Sequence, residues 1–152
     1  MMTITVAKYI AAPVEHVFEV FTDIERGAEY VSGVRKIEVM TSGGFRLGMR
    51  WRETREIMGR AISGEMEVTA FERNRTYTIT NDNRGTRIDT RFSFEPLTGG
   101  ARVSVELSLE PQSFSARLLT PIGWAMAGKL RDAIARDLDN LKSAAESQEV
   151  AA

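Results

Sequence analysis

The spacing of apolar residues changes twice along this chain, and each change marks a new kind of element. From Thr3 to Ala11, Ile4, Val6 and Ile10 share one side of an extended strand, and Lys8 interrupts the row. Pro13 comes next, suited to the first turn of a helix, where its missing N–H is not needed. Val14, Val17, Phe18 and Phe21 then recur at helical spacing and form an apolar stripe. Asp23 is placed to cap a short second helix carrying Ile24, Ala28 and Val31, which ends near Gly33.

From Val34 the period is two. Turn signals at Ser42-Gly43-Gly44, Gly59, Asn74, Asn81 to Gly85 and Thr98-Gly99-Gly100 separate strands near 34–41, 46–58, 60–72, 75–82, 86–97 and 101–110. Short connections make consecutive strands antiparallel neighbours. Alternation assigns an inner face to Val103, Val105, Leu107 and Leu109, and to Ile88, Phe92 and Phe94 before them. Tyr77, Ile79, Met66, Val68 and Ala70 join that face. Around Trp51 the outer row reads Arg50, Arg52, Thr54, Glu56, so Met49, Trp51, Glu53, Arg55 and Ile57 point inward. The strand at 34–41 does not declare its faces. A last helix starts near Ser113 or Ser115 and carries Leu118, Ile122, Met126, Leu130, Ile134, Leu138 and Leu141 on one side. Pro121 either kinks it or sets off a short separate turn. The order predicts an α+β fold: a curved seven-stranded antiparallel sheet, two short N-terminal helices, and a long C-terminal helix that encloses a cavity.

Size and charge narrow the picture a little. The 152 residues suit one domain, expected over 1–145 with 146–152 as a tail. A formal net charge of −1 favours neither nucleic acid nor an anionic membrane as a partner. The absence of cysteine excludes disulfides and thiolate chemistry, and it fits a cytoplasmic protein. The start lacks a basic stretch ahead of an apolar one, so no signal peptide is expected. No apolar run approaches the roughly 20 residues of a transmembrane segment.

The order of elements, and the residues that fill it, resemble the START-like, Bet v 1-like (SRPBCC) superfamily of the helix-grip fold. Within it the chain is most similar to the polyketide cyclase/dehydrase and lipid transport family. The resemblance rests on Ile10-Ala11-Ala12-Pro13-Val14-Glu15-His16-Val17-Phe18, Thr22-Asp23-Ile24-Glu25, Gly48-Met49-Arg50-Trp51, Glu65-Met66-Glu67-Val68-Thr69 and the closing Leu/Ile helix. It covers nearly the whole chain and implies a cavity between sheet and long helix. An empty apolar void costs about 24 cal/mol per Å³. A pocket of ~300 Å³ therefore costs roughly 7 kcal/mol, against a total stability of ~5–15 kcal/mol. Such a pocket is expected to be partly hydrated, collapsed by large side chains, or filled by an apolar guest.

Glu53 and Arg55 are the polar residues that stand out on the inner face, because buried charges are costly unless paired. One reading makes Arg55 an anchor for a ligand carboxylate, carbonyl or phenolate, with Glu53 as its partner or as a general base. The other is an ion pair near the sheet's end. Tyr77 offers one hydroxyl to a ligand, or bonds to backbone in the core. Trp51 stacks on a flat ligand or fills the core. Met49, Met66 and Met126 suit either an adaptable pocket or core packing. Val68, Ile79, Phe92, Phe94, Ile122 and Leu130 complete the apolar lining, and the resemblance places Tyr30 at the mouth. His16, the only histidine, falls beside the buried stripe rather than in it. Trp124 lies off the apolar side of the last helix, near the mouth or in a homodimer contact. The basic stretch Arg46, Arg50, Arg52, Arg55 and Arg60 reads as a solvated strand face and not as a nucleic-acid site, since Glu53 and Glu56 interrupt it. No phosphate loop, nucleophile elbow or metal motif is present, so no cofactor or metal is expected.

The leading expectation is a protein that binds or transports a hydrophobic small molecule such as a lipid, quinone or polyketide-like aromatic. A cyclase or dehydratase using an acid or base in the same cavity is the alternative. In a third reading the interior is only a core and the protein binds partners.

Overall fold

A computed structural model describes residues 2–57, 59–118 and 120–147. The side chains of Thr120, Ile122 and Gly123 are likewise outside the described residues. Strand β1 (Met2–Ile10) leads into helix α1 (Val14–Thr22), a 3-10 turn (Ile24–Arg26) and α2 (Gly27–Tyr30). Strands β2 (Val34–Val39), β3 (Arg50–Ile57), β4 (Arg60–Glu72), β5 (Thr76–Asn83), β6 (Thr86–Leu97) and β7 (Gly100–Pro111) come after them. Three helices close the chain: α3 (Phe114–Leu118), α4 (Thr120–Ala125) and α5 (Ala127–Ser147). The strands form one seven-stranded antiparallel sheet in the order β1-β7-β6-β5-β4-β3-β2. Strands joined by tight turns pair with their neighbours, and only β1 crosses over, to lie against β7.

Two extra residues break the alternation. Val68 pairs with Ile79 but Ala70 with Thr78, so Thr69 is a bulge. Each bulge exchanges the faces of the residues beyond it. Ala70, expected inside, is exposed, and Phe71 turns inward opposite Tyr77. In β2, Val34 pairs with Arg55 and Lys36 with Thr54, which leaves Arg35 unpaired. This bulge is why that strand showed no clear faces. β3 begins at Arg50, later than expected, because Gly43, Gly44 and Gly48 all take positive φ and curl the chain into a loop. Asp23 does not cap through its side chain; its carbonyl accepts the Arg26 N–H at 3.2 Å instead.

Among the described residues two short helices, α3 and α4, precede the long helix α5. Ser113 Oγ accepts the Ala116 N–H at 3.1 Å and caps α3. α3 ends at Leu118 and α5 begins only at Ala127, so no single helical phase runs through, and Leu118 and Met126, expected on the buried stripe, are exposed at 65% and 39%. On α5, Leu130, Ile134, Leu138 and Leu141 pack on the core, with Ala127, Ala144 and Ala145 beside them. Helix α5 continues through Ser147, and buried Ala145 lies on it.

One flank of α5 grips β1. Lys8, on the inner face opposite Val103, pairs with Asp139 at 3.0 Å. Arg131 donates to the Thr5 carbonyl at 3.1 Å and Lys142 to that of Tyr9 at 2.8 Å. Glu146 accepts the Ala11 N–H at 2.8 Å. The other flank reaches the opposite edge, where Asn140 Oδ1 accepts from the N–H and hydroxyl of Ser32. The helix thus ties both edges of the curved sheet.

Candidate functional site

The inner face has a closed end and an open end. At the closed end α1 inserts Phe18 among Phe71, Tyr77 and Phe94, with ring centroids 6.0, 5.9 and 5.1 Å away. Phe21 stands edge-on to Phe94 at 5.4 Å. Tyr77 stacks on Phe92 at 4.7 Å. Phe45, from the glycine-rich loop, closes the cluster edge-on to Tyr77 at 4.9 Å. Six of the seven phenylalanines thus fill the closed end. Such edge-to-face pairs add to what burial alone contributes.

Several of the expected lining residues belong to this closed packing. Met49, Trp51 and Val68 form one buried cluster, while Tyr77 and Phe94 lie in the other. The Tyr77 hydroxyl faces the Phe21 carbonyl at 3.5 Å, and burial pushes its ionisation far above the ordinary tyrosine range. Tyr30 ends α2, half-buried against the core, with the Arg26 guanidinium 5.0 Å from its ring centre. His16 Nε2 lies 3.1 Å from the Ala145 carbonyl, joining α1 to α5.

Toward the open end the inner row is only half-buried: Met66, Ile79, Ile88, Thr90 and Leu109 on the sheet, and Leu130 facing them from α5. Phe92 stands at the border. Water therefore reaches an apolar surface between sheet and helix. Met126 lies at the joint of α4 and α5, exposed; the Ile122 side chain lies outside the described residues.

Three charges are set beside this surface. β3 points Trp51, Glu53 and Arg55 to one side by simple alternation, and register places Glu53 opposite Gly64 and Arg55 opposite Ile62. Arg55 Nε donates to Glu53 Oε2 at 2.7 Å, and its Nη1 forms an ion pair with Asp137 Oδ2 of α5 at 2.9 Å. The Trp51 indole N–H reaches the other Glu53 oxygen at 3.4 Å. Side-chain exposures are 13% for Glu53, 31% for Arg55 and 26% for Asp137, so the array is shielded but wet. Among the described residues, Arg55 Nη2 and Asp137 Oδ1 make no hydrogen bond. Burial works against the Arg55 charge, yet Glu53 and Asp137 outweigh it and raise its pKa. Burial also raises Asp137, an effect that Arg55 opposes and Glu53 reinforces.

Sequence reasoning placed Glu53 and Arg55 on the inner face, where they pair, but did not single out Asp137, Phe45 or Phe71. Asp137 had a signal: it is three residues after Ile134 and four before Leu141, hence on the rim of the apolar stripe. Phe45 had one too, as a large apolar residue amid Ser-Gly-Gly. Phe71 had none, because the Thr69 bulge leaves no local mark. Two open clefts lie apart from the array. One of about 550 Å³ runs over the charged face of β3 to β6, where Arg50 and Arg52 pair with Glu65 at 3.0 and 3.7 Å. The other, about 660 Å³, lies at the turn-side end of β5 and β6, between Val14 and Pro96.

No helix among the described residues is long and apolar enough to cross a membrane. No curated protein matches the chain in sequence. Its fold is similar to that of a START superfamily protein from Mycobacterium smegmatis, at 17% identity and a TM-score of 0.73 over 93% of this chain and 97% of that one. It is similar to the Zhui aromatase/cyclase of Streptomyces sp. R1128, at 15% identity and a TM-score of 0.75 over 95% and 93%. A Thermus thermophilus protein, TTHA0849, aligns at 20% identity and a TM-score of 0.75 over 95% and 97%. Likenesses at these identities show the fold alone, the helix grip of START-like proteins. A family model described as polyketide cyclase / dehydrase and lipid transport matches residues 1–146. With nearly all of its length matched, the chain belongs to the polyketide cyclase/dehydrase and lipid transport family.

Proposed function

We propose that the open end of the inner face binds a hydrophobic small molecule bearing a hydroxyl and a carbonyl, of the polyketide-like aromatic or hydroquinone class. The observation that carries this is the Glu53–Arg55–Asp137 array beside an accessible apolar surface. One cation between two carboxylates has a net charge of −1, so an anionic headgroup meets repulsion there. A neutral hydroxyl can donate to Asp137 Oδ1, and a carbonyl can accept from Arg55 Nη2. Apolar contacts with Met66, Ile79 and Leu130 then supply most of the affinity. The aromatase/cyclase among the similar structures and the family description support an aromatic ligand.

The test begins with native mass spectrometry and an organic extract of the purified protein, followed by thermal shift with a hydroxyanthraquinone and with palmitate. The hydroxyanthraquinone is expected to raise the melting temperature and palmitate to leave it unchanged. Arg55→Met and Asp137→Asn are each expected to weaken hydroxyanthraquinone binding about tenfold, the value of one lost hydrogen bond to a charged group. Equal binding of palmitate, or indifference to both substitutions, overturns the reading.

A second reading, acid/base chemistry of the cyclase or dehydratase kind, is favoured by Asp137. Its raised pKa moves it toward the range in which a carboxyl exchanges protons near neutrality. Turnover of a polyketide-like substrate that Asp137→Asn abolishes while binding persists establishes this reading; turnover unaffected by Asp137→Asn removes it.

A further inference from the structure

We propose that α3 and α4 form a docking surface for an anionic lipid bilayer. Helix α3 seats itself with Ala116 inward, 7% exposed, which turns Phe114 and Leu118 outward, four residues apart on the same side. Phe114 is 78% exposed, Leu118 65%, and Trp124 of α4 62%. Among the described residues these are the three most exposed large apolar side chains, and they fall within eleven positions of one another.

Charge names the occupant. Between Glu110 and Asp132 the chain has no acidic residue but carries Arg117, Lys129 and Arg131. The rest of the chain is therefore net −4, so the positive charge is local to this segment. Arg131 is turned to the Thr5 carbonyl, leaving exposed Arg117 and Lys129 beside the apolar side chains. The β5–β6 turn adds exposed Arg84; its next residue, Gly85, accepts the Gln112 N–H at 2.8 Å just ahead of α3. Exposed Trp, Phe and Leu flanked by cations is the composition of segments that lie in the headgroup layer. A second copy is a poorer occupant, because a twofold contact sets these cations against their own images. The surface is distinct from the ligand array and does not depend on what that array binds.

The experiment is flotation with vesicles of phosphatidylcholine alone and of phosphatidylcholine with phosphatidylglycerol, read together with Trp124 fluorescence. The full chain is expected to float only with phosphatidylglycerol present, to release as salt rises, and to show a blue shift that Trp124→Phe removes. Arg117→Glu is expected to weaken binding at least about fivefold, the effect of one cation near such a surface. The double substitution Phe114→Ser/Trp124→Ser is expected to abolish it. These side chains are exposed, so an unchanged melting temperature shows the variants are folded. Absence of flotation, or equal flotation on phosphatidylcholine alone, overturns the proposal. So does a dimer that the double substitution dissociates, which would assign the face to a second copy.

Discussion

Replacing Arg55 by Met keeps the stem of the side chain and removes the guanidinium from between two carboxylates. Glu53 then loses its 2.7 Å partner and Asp137 its 2.9 Å partner. Breaking a fully buried pair costs ~3–5 kcal/mol, and an exposed one ~0–1 kcal/mol. The three side chains are 13 to 31% exposed, so the cost falls between these limits, at about 2 kcal/mol. For a chain of this length that corresponds to a drop of roughly 4–8 °C in melting temperature. The sign of the pH dependence is also fixed. Asp137 already has a raised pKa from burial, and loss of Arg55 raises it further. A carboxyl whose pKa is higher folded than unfolded binds protons more tightly in the native state. Its penalty is absent below the ordinary carboxylate range and grows as pH rises through the folded value. The deficit of Arg55→Met is therefore greatest at neutral pH and shrinks toward about pH 4. Urea denaturation followed by the fluorescence of buried Trp51 measures it, and Arg55→Met/Asp137→Asn should recover part of the loss. A deficit under ~0.5 kcal/mol, or one equal at both pH values, refutes the reasoning, since it would mean that water screens the array as it screens a surface pair.

Phe45→Ala removes the loop's ring from Tyr77 and Phe71; a loss of about 2 kcal/mol is expected for this half-buried aromatic, with a gain in anilinonaphthalene sulfonate fluorescence as the closed end opens. Glu146→Gln should cost about 1 kcal/mol at neutral pH by weakening the ties to Lys142 and the Ala11 N–H. The bond to Lys142 and that N–H hold the Glu146 pKa below its ordinary value. The difference from the parent is therefore full above the ordinary carboxylate range and fades as acid titrates through the lowered value, which melting curves from about pH 7 to 3 will show. Gly100→Ala sets a Cβ against the Ile10 carbonyl and the Tyr9 ring. Overpacking of that kind costs ~1–3 kcal/mol or more, and unaltered stability in denaturation would show that β1 and β7 have room to separate.

The sheet and its element order were legible because the signals are local. Alternation from Val103 to Leu109 and turns such as Gly99-Gly100 need only neighbouring residues to be understood. Glu53 and Arg55 were legible for the same reason, since they continue the row begun by Trp51. The features that escaped depend on an extra residue or a distant partner. Thr69 gives no sign that it is the unpaired residue; only the partner strand reveals it, and with it the direction of Phe71. Leu118 and Met126 kept the spacing of a single helix, but Pro121 lies in the first turn of a separate helix, α4, and α5 starts afresh at Ala127, so the phases are independent. Asp137 is a rim residue by its spacing and a member of the array only because α5 crosses to β3.

The placement of β1 has a consequence for the order of folding. Its strand partner is β7 and its helix partner is α5, so its pairing waits for residues 101–109 and its helix contacts for α5. At ~5–20 residues per second of synthesis, that wait is about 5–20 s. During it Ile4, Val6 and Ile10 sit on an unpaired edge of the kind that sticks to other chains. The polar residues among and beside them, Thr3, Thr5 and Lys8, keep that edge tolerable until its partners emerge. The aromatic residues from Phe18 to Phe94 are all made before α5, so the closed end can pack while β1 still waits for its helix.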